Sequence, residues 1–324
     1  MPDNTTVRKI RFMPITPFLR IHSDRRQRAA LFLSGGGSNA ERLLEELATA
    51  GQTASYEVAL LVTDAPAGSR AREIGARFSI PVVANDIRAF YREQGEARVS
   101  LATVRGRELR DQWTGQLRSQ IAPFGVDFGV LAGFVPLTNI TGDFPCLNVH
   151  PGDLTYLRNG ERYLVGLHTV PIERAILAGL NHLRSSVIIA LPYTGRGEDM
   201  DNGPILGISE PVPIDLHGHG IEELRTVAAA RPVQRPPGGY ADALEEVAKP
   251  NQDRLKREGD WVVLPQAVRA FARGDYGRDE RGELLFRVGP GWEQIETVVF
   301  GAESQPLLLK RAATRRGQPA DSST

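Results

Sequence analysis

The chain has 324 residues and is formally neutral, with 39 Lys and Arg against 39 Asp and Glu. This balance argues against a general attraction to nucleic acid or to anionic membrane surfaces, so we expect neither as a partner. The hydrophobic fraction of 41% predicts a sizeable core. No apolar run approaches the roughly 20 residues that span a bilayer.

The cysteine and histidine content argues against disulfides and metal sites. The single cysteine, Cys146, excludes an internal disulfide framework and a cysteine-based zinc cluster. The six histidines lack metal-ligand spacing, so we expect no metal. Residues 1–30 contain no apolar segment of signal-peptide type, which together with one cysteine favours a cytoplasmic setting.

A glycine loop follows the first predicted strand. Residues 1–28 are mixed in composition and are predicted to form an N-terminal arm. An apolar strand over residues 29–33 then leads to a helix over residues 40–50. The loop between them comprises Gly35, Gly36, Gly37, Ser38 and Asn39. Close backbone approach beside a helix N-terminus suits phosphate binding. The alternative is a glycine turn in which Asn39 caps the helix.

Alternating strand and helix patterns follow. Predicted strands at residues 56–62 and 80–83 flank a helix that ends near residue 78, and a largely helical stretch over residues 86–124 leads to a strand at 126–131. A β-α-β alternation at this spacing predicts an α/β fold with a doubly wound, mostly parallel sheet.

The stretch from residue 131 to residue 151 carries the first candidate catalytic pair. Asn148 and His150 follow the short apolar piece at residues 146–147. Residues i and i+2 of an extended segment face the same side, so an amide and an imidazole would point together beyond the strand end. The alternative is a hydrogen-bonded histidine near a turn.

The chain then predicts a return to the sheet and a C-terminal extension. A helix through residue 180, a β-rich run at 185–191 and a glycine-rich loop at 194–200 precede Asp201, which on its own is typical of a turn. The predicted units are a catalytic domain at 29–215, an extension at 216–310 and a disordered tail at 311–324.

The extension has three predicted parts. A proline-rich stretch covers residues 231–240, two helices over residues 241–274 are separated at Pro250, and residues 278–288 alternate as in a terminal hairpin.

Five motifs, in this order, resemble the folate-dependent formyltransferase family, and within it the glycinamide ribonucleotide formyltransferases. They are SGGGSN, FGVLAGF, NVHP, GLHT and DNGPIL, beginning at Ser34, Phe128, Asn148, Gly166 and Asp201. The resemblance implies a Rossmann-like fold and formyl transfer from 10-formyltetrahydrofolate to a phosphorylated amine, with no metal required. Glycinamide ribonucleotide of purine biosynthesis is the favoured acceptor, and another amine is the alternative.

The resemblance also implies the site residues. The catalytic trio would be Asn148, His150 and Asp201. The folate pocket would be formed by Ala132, Gly133, Phe134, Val135 and Arg107. The substrate phosphate would bind at Gly35, Gly36, Gly37, Ser38 and Asn39.

The chain departs from the family pattern at three places. Ile188 stands where the family usually has a histidine, Pro136 where it often has a basic residue, and residues 152–165 are enlarged. We expect the enlarged segment to fold back over the cleft, with Arg158, Arg162 and His168 as the available polar side chains. The alternative is a surface loop with solvated arginines.

Two other functions remain open at this point. The first is hydrolysis of 10-formyltetrahydrofolate. The hydrolases of this family carry an N-terminal regulatory domain, and we expect residues 1–28 to be too short to form one. The second is a folate- or nucleotide-binding protein without turnover. The expected partners are small-molecule substrates, and both a monomer and a homodimer remain open.

Overall fold

A nine-stranded sheet forms the centre of the molecule. The computed structural model describes residues 14–193, 197–236, 238–302 and 305–310, and the backbone alone for 197–199. The strands of the central sheet are, in chain order, β1 (Gln27–Phe32), β2 (Tyr56–Thr63), β3 (Val82–Ala84), β4 (Phe128–Leu131), β5 (Cys146–His150), β6 (Ser186–Ala190), β7 (Ile205–Ser209), β8 (Thr297–Phe300) and β9 (Leu307–Leu309).

The spatial order of the strands is β9-β8-β7-β6-β5-β4-β1-β2-β3. Strands β3, β2, β1, β4 and β5 are parallel, as are β7 and β8. The antiparallel neighbours are β5 and β6, β6 and β7, and β8 and β9. The predicted α/β fold with a mostly parallel sheet is confirmed.

Helices cover both faces of the sheet, as its continuous apolar strands require. The helices are α1 (Ser38–Ala50), α2 (Ala71–Phe78), α3 (Ile87–Glu93), α4 (Val104–Ile121), α5 (Val170–Leu177), α6 (Ile221–Ala229), α7 (Ala243–Leu255) and α8 (Trp261–Ala272). Side chains of α1, α2 and α8 belong to the core on one face, and side chains of α3 and α4 to the core on the other. Helices α5, α6 and α7 pack together in a third apolar cluster.

The last third of the chain returns to the central sheet. Strand β8 adds to β7 in parallel, with Gly207 opposite Val298, and β9 then forms the edge. An antiparallel pair, residues 276–278 with 284–288, lies where the hairpin was predicted and belongs to a separate four-stranded sheet with Thr16–Pro17 and Gly291–Gln294. The predicted tail at 311–324 lies outside the described residues.

The predicted helix break at Pro250 is wrong. Pro250 lies inside α7, and the helix continues because Leu244, Val247 and Leu255 anchor the same helix in an apolar cluster. Losing one backbone hydrogen bond costs less than exposing that face. A π-helical turn, Lys256–Asp260, separates α7 from α8 instead.

Candidate active site

The carboxyl ends of β1, β4 and β5 meet at the point where the strand order reverses. Strand β1 is paired with β2 on one side and with β4 on the other. The chain therefore leaves β1 in one direction and returns to its other side, which opens a crevice beyond the strand ends. Ligands of open α/β sheets bind at such switch points.

The structure brings Asn148, His150 and Asp201 together. Asn148 and His150 lie on β5, and Asp201 lies in the 3-10 turn Gly197–Asn202 that precedes β7. The Asn148 Nδ2 atom donates to the Asp201 Oδ1 atom over 3.3 Å. All three side chains line one cavity of about 830 Å³.

His150 is buried, with 4% of its surface exposed. Its Nε2 atom lies 2.8 Å from the Leu164 carbonyl oxygen. A carbonyl only accepts, so Nε2 carries the hydrogen, and in the neutral ring Nδ1 keeps an accepting lone pair. Burial lowers the pKa of His150, the Asp201 carboxylate raises it and the Arg162 guanidinium lowers it, with a net shift downward. The imidazole is therefore neutral near pH 7.

The turn that carries Asp201 is tied at both ends, to β6 and to Leu191, the residue that follows it. The Leu191 amide donates to the Met200 carbonyl over 3.0 Å, and the Ile189 amide donates to the Pro204 carbonyl over 3.1 Å. A Cβ atom on Gly203 would lie 1.8 Å from the Ile189 carbonyl oxygen, so only glycine permits this approach. Gly203, the glycine of the DNGP motif, thus allows the turn that carries Asp201 to lie close against β6.

The cavity walls are largely apolar and come from six parts of the chain. They are formed by Leu131, Gly133, Phe134, Val135, Pro136, Leu137, Val149, Pro151, Gly166, Leu167, His168, Ala190, Met200 and Gln252, besides the trio. A mostly apolar cavity with few polar groups suits an aromatic ligand held by a small number of directed contacts.

The predicted folate residues take different places. Gly133, Phe134 and Val135 line the cavity, whereas Ala132 is buried, with 4% of its surface exposed, and is not among the lining residues. Arg107 is exposed, donates to the Leu101 carbonyl and is not a lining residue either.

Arg110, which no sequence motif indicates, lies closer to the cavity than Arg107 does. Its guanidinium is buried and donates to the carbonyl of Leu137, a cavity residue. Burial lowers the pKa of Arg110. Its position one helical turn beyond Arg107 could not be separated from that of Arg107 by helical periodicity alone.

A hydrogen-bonded chain fixes the segment that carries Phe134. The Ser34 hydroxyl accepts from the Val135 amide over 2.9 Å and donates to the Asp64 carboxylate over 2.5 Å. The Ser34 amide also donates to the Gly133 carbonyl. The end of β1 therefore holds the segment after β4, and the glycine loop begins directly beside the cavity.

The glycine loop places its backbone, rather than its longest side chain, at the surface. Gly35 and Gly36 would meet no atom within 4 Å if they carried a Cβ, and Gly37 adopts a left-handed conformation with φ 67. In the described part of the chain, no protein acceptor takes the amide hydrogens of these three glycines. Together with the first turn of α1, they form a concave set of donors that suits an anion.

Asn39, at the end of this loop, is turned inward. Its amide Nδ2 donates to the Asp260 carboxylate over 3.2 Å, and the Ser185 hydroxyl donates to the same carboxylate over 2.5 Å. Burial raises the pKa of Asp260, and these two donors oppose the rise. The sequence offers no local indication of Asp260, because 220 residues separate it from the loop that it supports.

Two of the departures from the family pattern, Ile188 and the enlarged segment, pack together. Ile188 is paired with Asn148 across β5 and β6 and is fully buried. It packs in an apolar cluster that includes Leu154 and Val165 of the enlarged segment. Pro136 lines the cavity. The enlarged segment thus supplies apolar cover for the isoleucine.

The three polar side chains proposed for this region, Arg158, Arg162 and His168, have different surroundings. Arg162 donates to the carbonyls of Asp201 and Gly203. His168 lines the cavity with φ 57, and the Gln252 amide of α7 donates to its carbonyl over 2.9 Å. Arg158 instead lies over the Tyr163 ring and is not a lining residue.

The described residues show neither a metal cluster nor a membrane-spanning helix. Within these residues, no group of three His, Cys, Asp or Glu side chains is arranged to hold a metal ion. Nor does any helix in the same ranges have both the length and the apolarity needed to cross a bilayer.

Comparison with known proteins places the fold. No family model matches the chain, and no curated protein sequence matches it significantly. The phosphoribosylglycinamide formyltransferase of Coxiella burnetii superposes with a TM-score of 0.51 at 17% identity, over 81% of this chain and 94% of that one. The enzyme of the same name from Anaplasma phagocytophilum gives 0.50 at 16% identity, over 85% and 99%. Glycinamide ribonucleotide transformylase 1 of Symbiobacterium toebii gives 0.49 at 21% identity, over 79% and 92%. The chain therefore has the Rossmann-like fold of the first two proteins.

Proposed function

We propose that the protein transfers a formyl group from 10-formyltetrahydrofolate to the amine of a phosphorylated acceptor, glycinamide ribonucleotide. The observation that carries this proposal is the convergence of Asn148, His150 and Asp201 in one largely apolar cavity at the switch point of the sheet. The shared fold with solved phosphoribosylglycinamide formyltransferases supports it.

The reaction needs one proton to move between two nitrogens. The acceptor amine attacks the formyl carbon, a C–N bond forms, and the carbonyl oxygen takes up the electron pair as an oxyanion. Collapse of this intermediate breaks the bond from carbon to N10 of the folate. The proton lost by the attacking nitrogen ends on N10, so the products are the formamide and tetrahydrofolate.

Asn148 suits stabilisation of the oxyanion. One hydrogen of its amide points to Asp201, and the second hydrogen on Nδ2 is left to donate to the reacting oxygen. A donor placed in advance near a developing oxyanion typically contributes on the order of 3 kcal/mol.

His150 suits the proton transfer. Its Nε2–H is engaged by Leu164, so the neutral ring offers Nδ1 to the amine proton and the imidazolium then returns that proton to N10. The nearby Asp201 carboxylate favours the imidazolium while it exists. No nucleophile of the protein is required, and the thiol of Cys146 is fully buried with its pKa raised by burial.

The two ligands would occupy neighbouring parts of the site. The apolar wall around Phe134 suits the ring system of the folate, since the Phe134 ring is held edge-on by Phe32 and stacked on Trp113. The glycine loop next to that wall suits the acceptor's phosphate.

Release of tetrahydrofolate tests the proposal against its alternatives. We expect the protein to release tetrahydrofolate from 10-formyltetrahydrofolate only when glycinamide ribonucleotide is present. Release that does not depend on the amine would indicate hydrolysis, and binding of the folate without release under either condition would indicate a binding protein. Both outcomes would overturn the proposed transfer.

A further inference from the structure

The enlarged segment contains a short hairpin whose second strand runs beside the catalytic trio. Residues 157–158 pair with residues 161–162, and the turn between them is Asn159 and Gly160 with φ 55 and φ 82. Asn-Gly with two positive φ angles is typical of a tight two-residue hairpin turn. The hairpin is therefore ordered by its own sequence and delivers residues 162–164 at a fixed place.

Arg162 completes the hydrogen bonding of the turn that carries Asp201. The carbonyls of Met200 and Pro204 accept from the amides of Leu191 and Ile189, and those of Asp201 and Gly203 accept from the two terminal nitrogens of the Arg162 guanidinium. The bond to Gly203 measures 2.8 Å. A planar guanidinium that binds two acceptors fixes both their distance and their orientation.

The same segment also holds His150. Two residues beyond Arg162, the Leu164 carbonyl accepts the His150 Nε2 hydrogen. Within the trio, the Asp201 carboxylate accepts a single long hydrogen bond, from Asn148 over 3.3 Å. Its place relative to His150 therefore depends on the backbone of the turn, and that backbone depends on Arg162.

We propose that Arg162 is a positioning residue, whose guanidinium holds the turn at residues 201–203 so that the Asp201 carboxylate stays beside His150 and Asn148. This proposal rests on the proposed function for its kinetic consequence, but not for the placement itself. Arg162 does not touch the reacting atoms; it acts through the Asp201 backbone.

The proposal differs from a purely electrostatic role. The charged groups that act on His150 within the described residues are Asp201 and Arg162. A role through charge alone would be preserved by Arg162→Lys. A role through geometry would not, because an ammonium is a point donor that cannot bind two carbonyls as a fork.

Titration of His150 by NMR of histidine-labelled protein separates the two roles without any assay of activity. In the wild-type background, Asp201→Asn should lower the pKa of His150, since the carboxylate that favours the imidazolium is lost. In the Arg162→Lys background, we expect Asp201→Asn to produce less than half of that drop, because the carboxylate has already moved away. The full drop in the Arg162→Lys background would overturn the proposal.

Arg158→Met is the matched control. Arg158 lies on the same hairpin, but its guanidinium lies over the Tyr163 ring. The drop caused by Asp201→Asn should remain complete in this background. Loss of the drop in the control as well would assign the effect to the hairpin as a whole and would overturn the specific role of Arg162.

Kinetics supply the second test. We expect kcat to fall about tenfold or more in Arg162→Lys and up to roughly a hundredfold in Arg162→Met, with KM for the folate within about threefold, since misplacement by about 1 Å can cost this much. Unchanged kcat in Arg162→Lys would contradict the proposal. If the wild-type protein itself has no transferase activity, the proposed function fails, whereas the titration still decides the role of Arg162.

Discussion

The glycine loop and the catalytic trio lie at the same edge of one sheet, yet they present different chemistry there. The loop after β1 turns its amide side chain inward, where Asn39 is 8% exposed and bound to Asp260. Strand β5 turns Asn148 and His150 outward into the cavity. The loop therefore presents mainly backbone N–H groups to a ligand, whereas the trio acts through side chains.

This difference predicts how each region responds to substitution. Changes in the trio should reduce the rate of the chemical step. Changes in the side chains of the loop should alter stability and acceptor binding while the rate is retained.

His150→Ala should give the largest effect. We expect kcat to fall by 10² or more, roughly what a lost general acid–base group contributes. The matched control is His182→Ala, since the His182 ring is bonded only to its neighbour Asn181 in the hydrogen bonds of the described residues. A loss below tenfold in His150→Ala would show that the imidazole is structural.

Gly152→Ala should affect His150 indirectly, by displacing the carbonyl that binds its ring. A Cβ atom at Gly152 would lie 2.3 Å from the Leu164 carbonyl oxygen that binds His150, so this carbonyl must move. We expect kcat to fall about tenfold, since the tautomer and orientation of the imidazole are no longer fixed. Gly142→Ala is the control, because its Cβ would meet nothing within 4 Å. Equal rates for the two variants would contradict the role of the carbonyl.

The pH dependence of kcat/KM should include an acid limb from His150 that is shifted to lower pH. Burial holds the pKa of His150 below the ordinary value of about 6.5. The acceptor amine must be unprotonated to attack and gives kcat/KM its own acid limb, near the ordinary α-amino pKa of about 8. Because the neutral imidazole accepts the amine proton, His150 should add a second limb at a pH below the ordinary imidazole pKa. Asp201→Asn should move the limb lower still, since it removes the carboxylate that raises this pKa. An imidazole titration of His150 above about pH 6.5 in the wild type, followed by NMR, would contradict this assignment.

Asn39→Ala should affect stability more than rate. The variant removes a buried donor to the Asp260 carboxylate, and we expect the free energy of unfolding to fall by about 1–3 kcal/mol in urea titrations. The kcat value should remain within about twofold at saturating acceptor. Ser38→Ala, the preceding loop residue, is the control for stability. A large loss of kcat with unchanged stability would place the Asn39 side chain in the reaction.

The smallest expected effect is competition by inorganic phosphate. Phosphate should raise KM for the acceptor and leave KM for the folate unchanged, because the loop amides lie beside the folate wall and not within it. Competition against the folate alone would assign the loop to the other ligand.

The sequence predicts the parts of the site that depend on local pattern or motif order. Strand β5 could be placed from a short apolar run, and alternation along it predicted that Asn148 and His150 share one side. The glycine loop could be found because glycines between a strand and a helix form a recognisable pattern. Both regions can be recognised from a short stretch of sequence, either by its local pattern or by a family motif.

The contacts that support the site could not be predicted in this way. Asp260 reaches the glycine loop from a π-helical turn, and Gln252 reaches the cavity from α7. Such contacts form only after α7, α8 and β8 return to the sheet, and no local pattern indicates which residue will face which strand end. Arg162 was among three candidate side chains, but only the carbonyls of the Asp201 turn distinguish it from Arg158.

The fate of the formyl carbon tests the central claim most directly. Donor labelled with ¹³C in the formyl group, mixed with stoichiometric protein and glycinamide ribonucleotide, can be followed by ¹³C NMR. The account predicts that the label appears as a formamide on the ribonucleotide, in equal amount to the tetrahydrofolate formed. Label recovered as free formate, or retained on the folate, would contradict it.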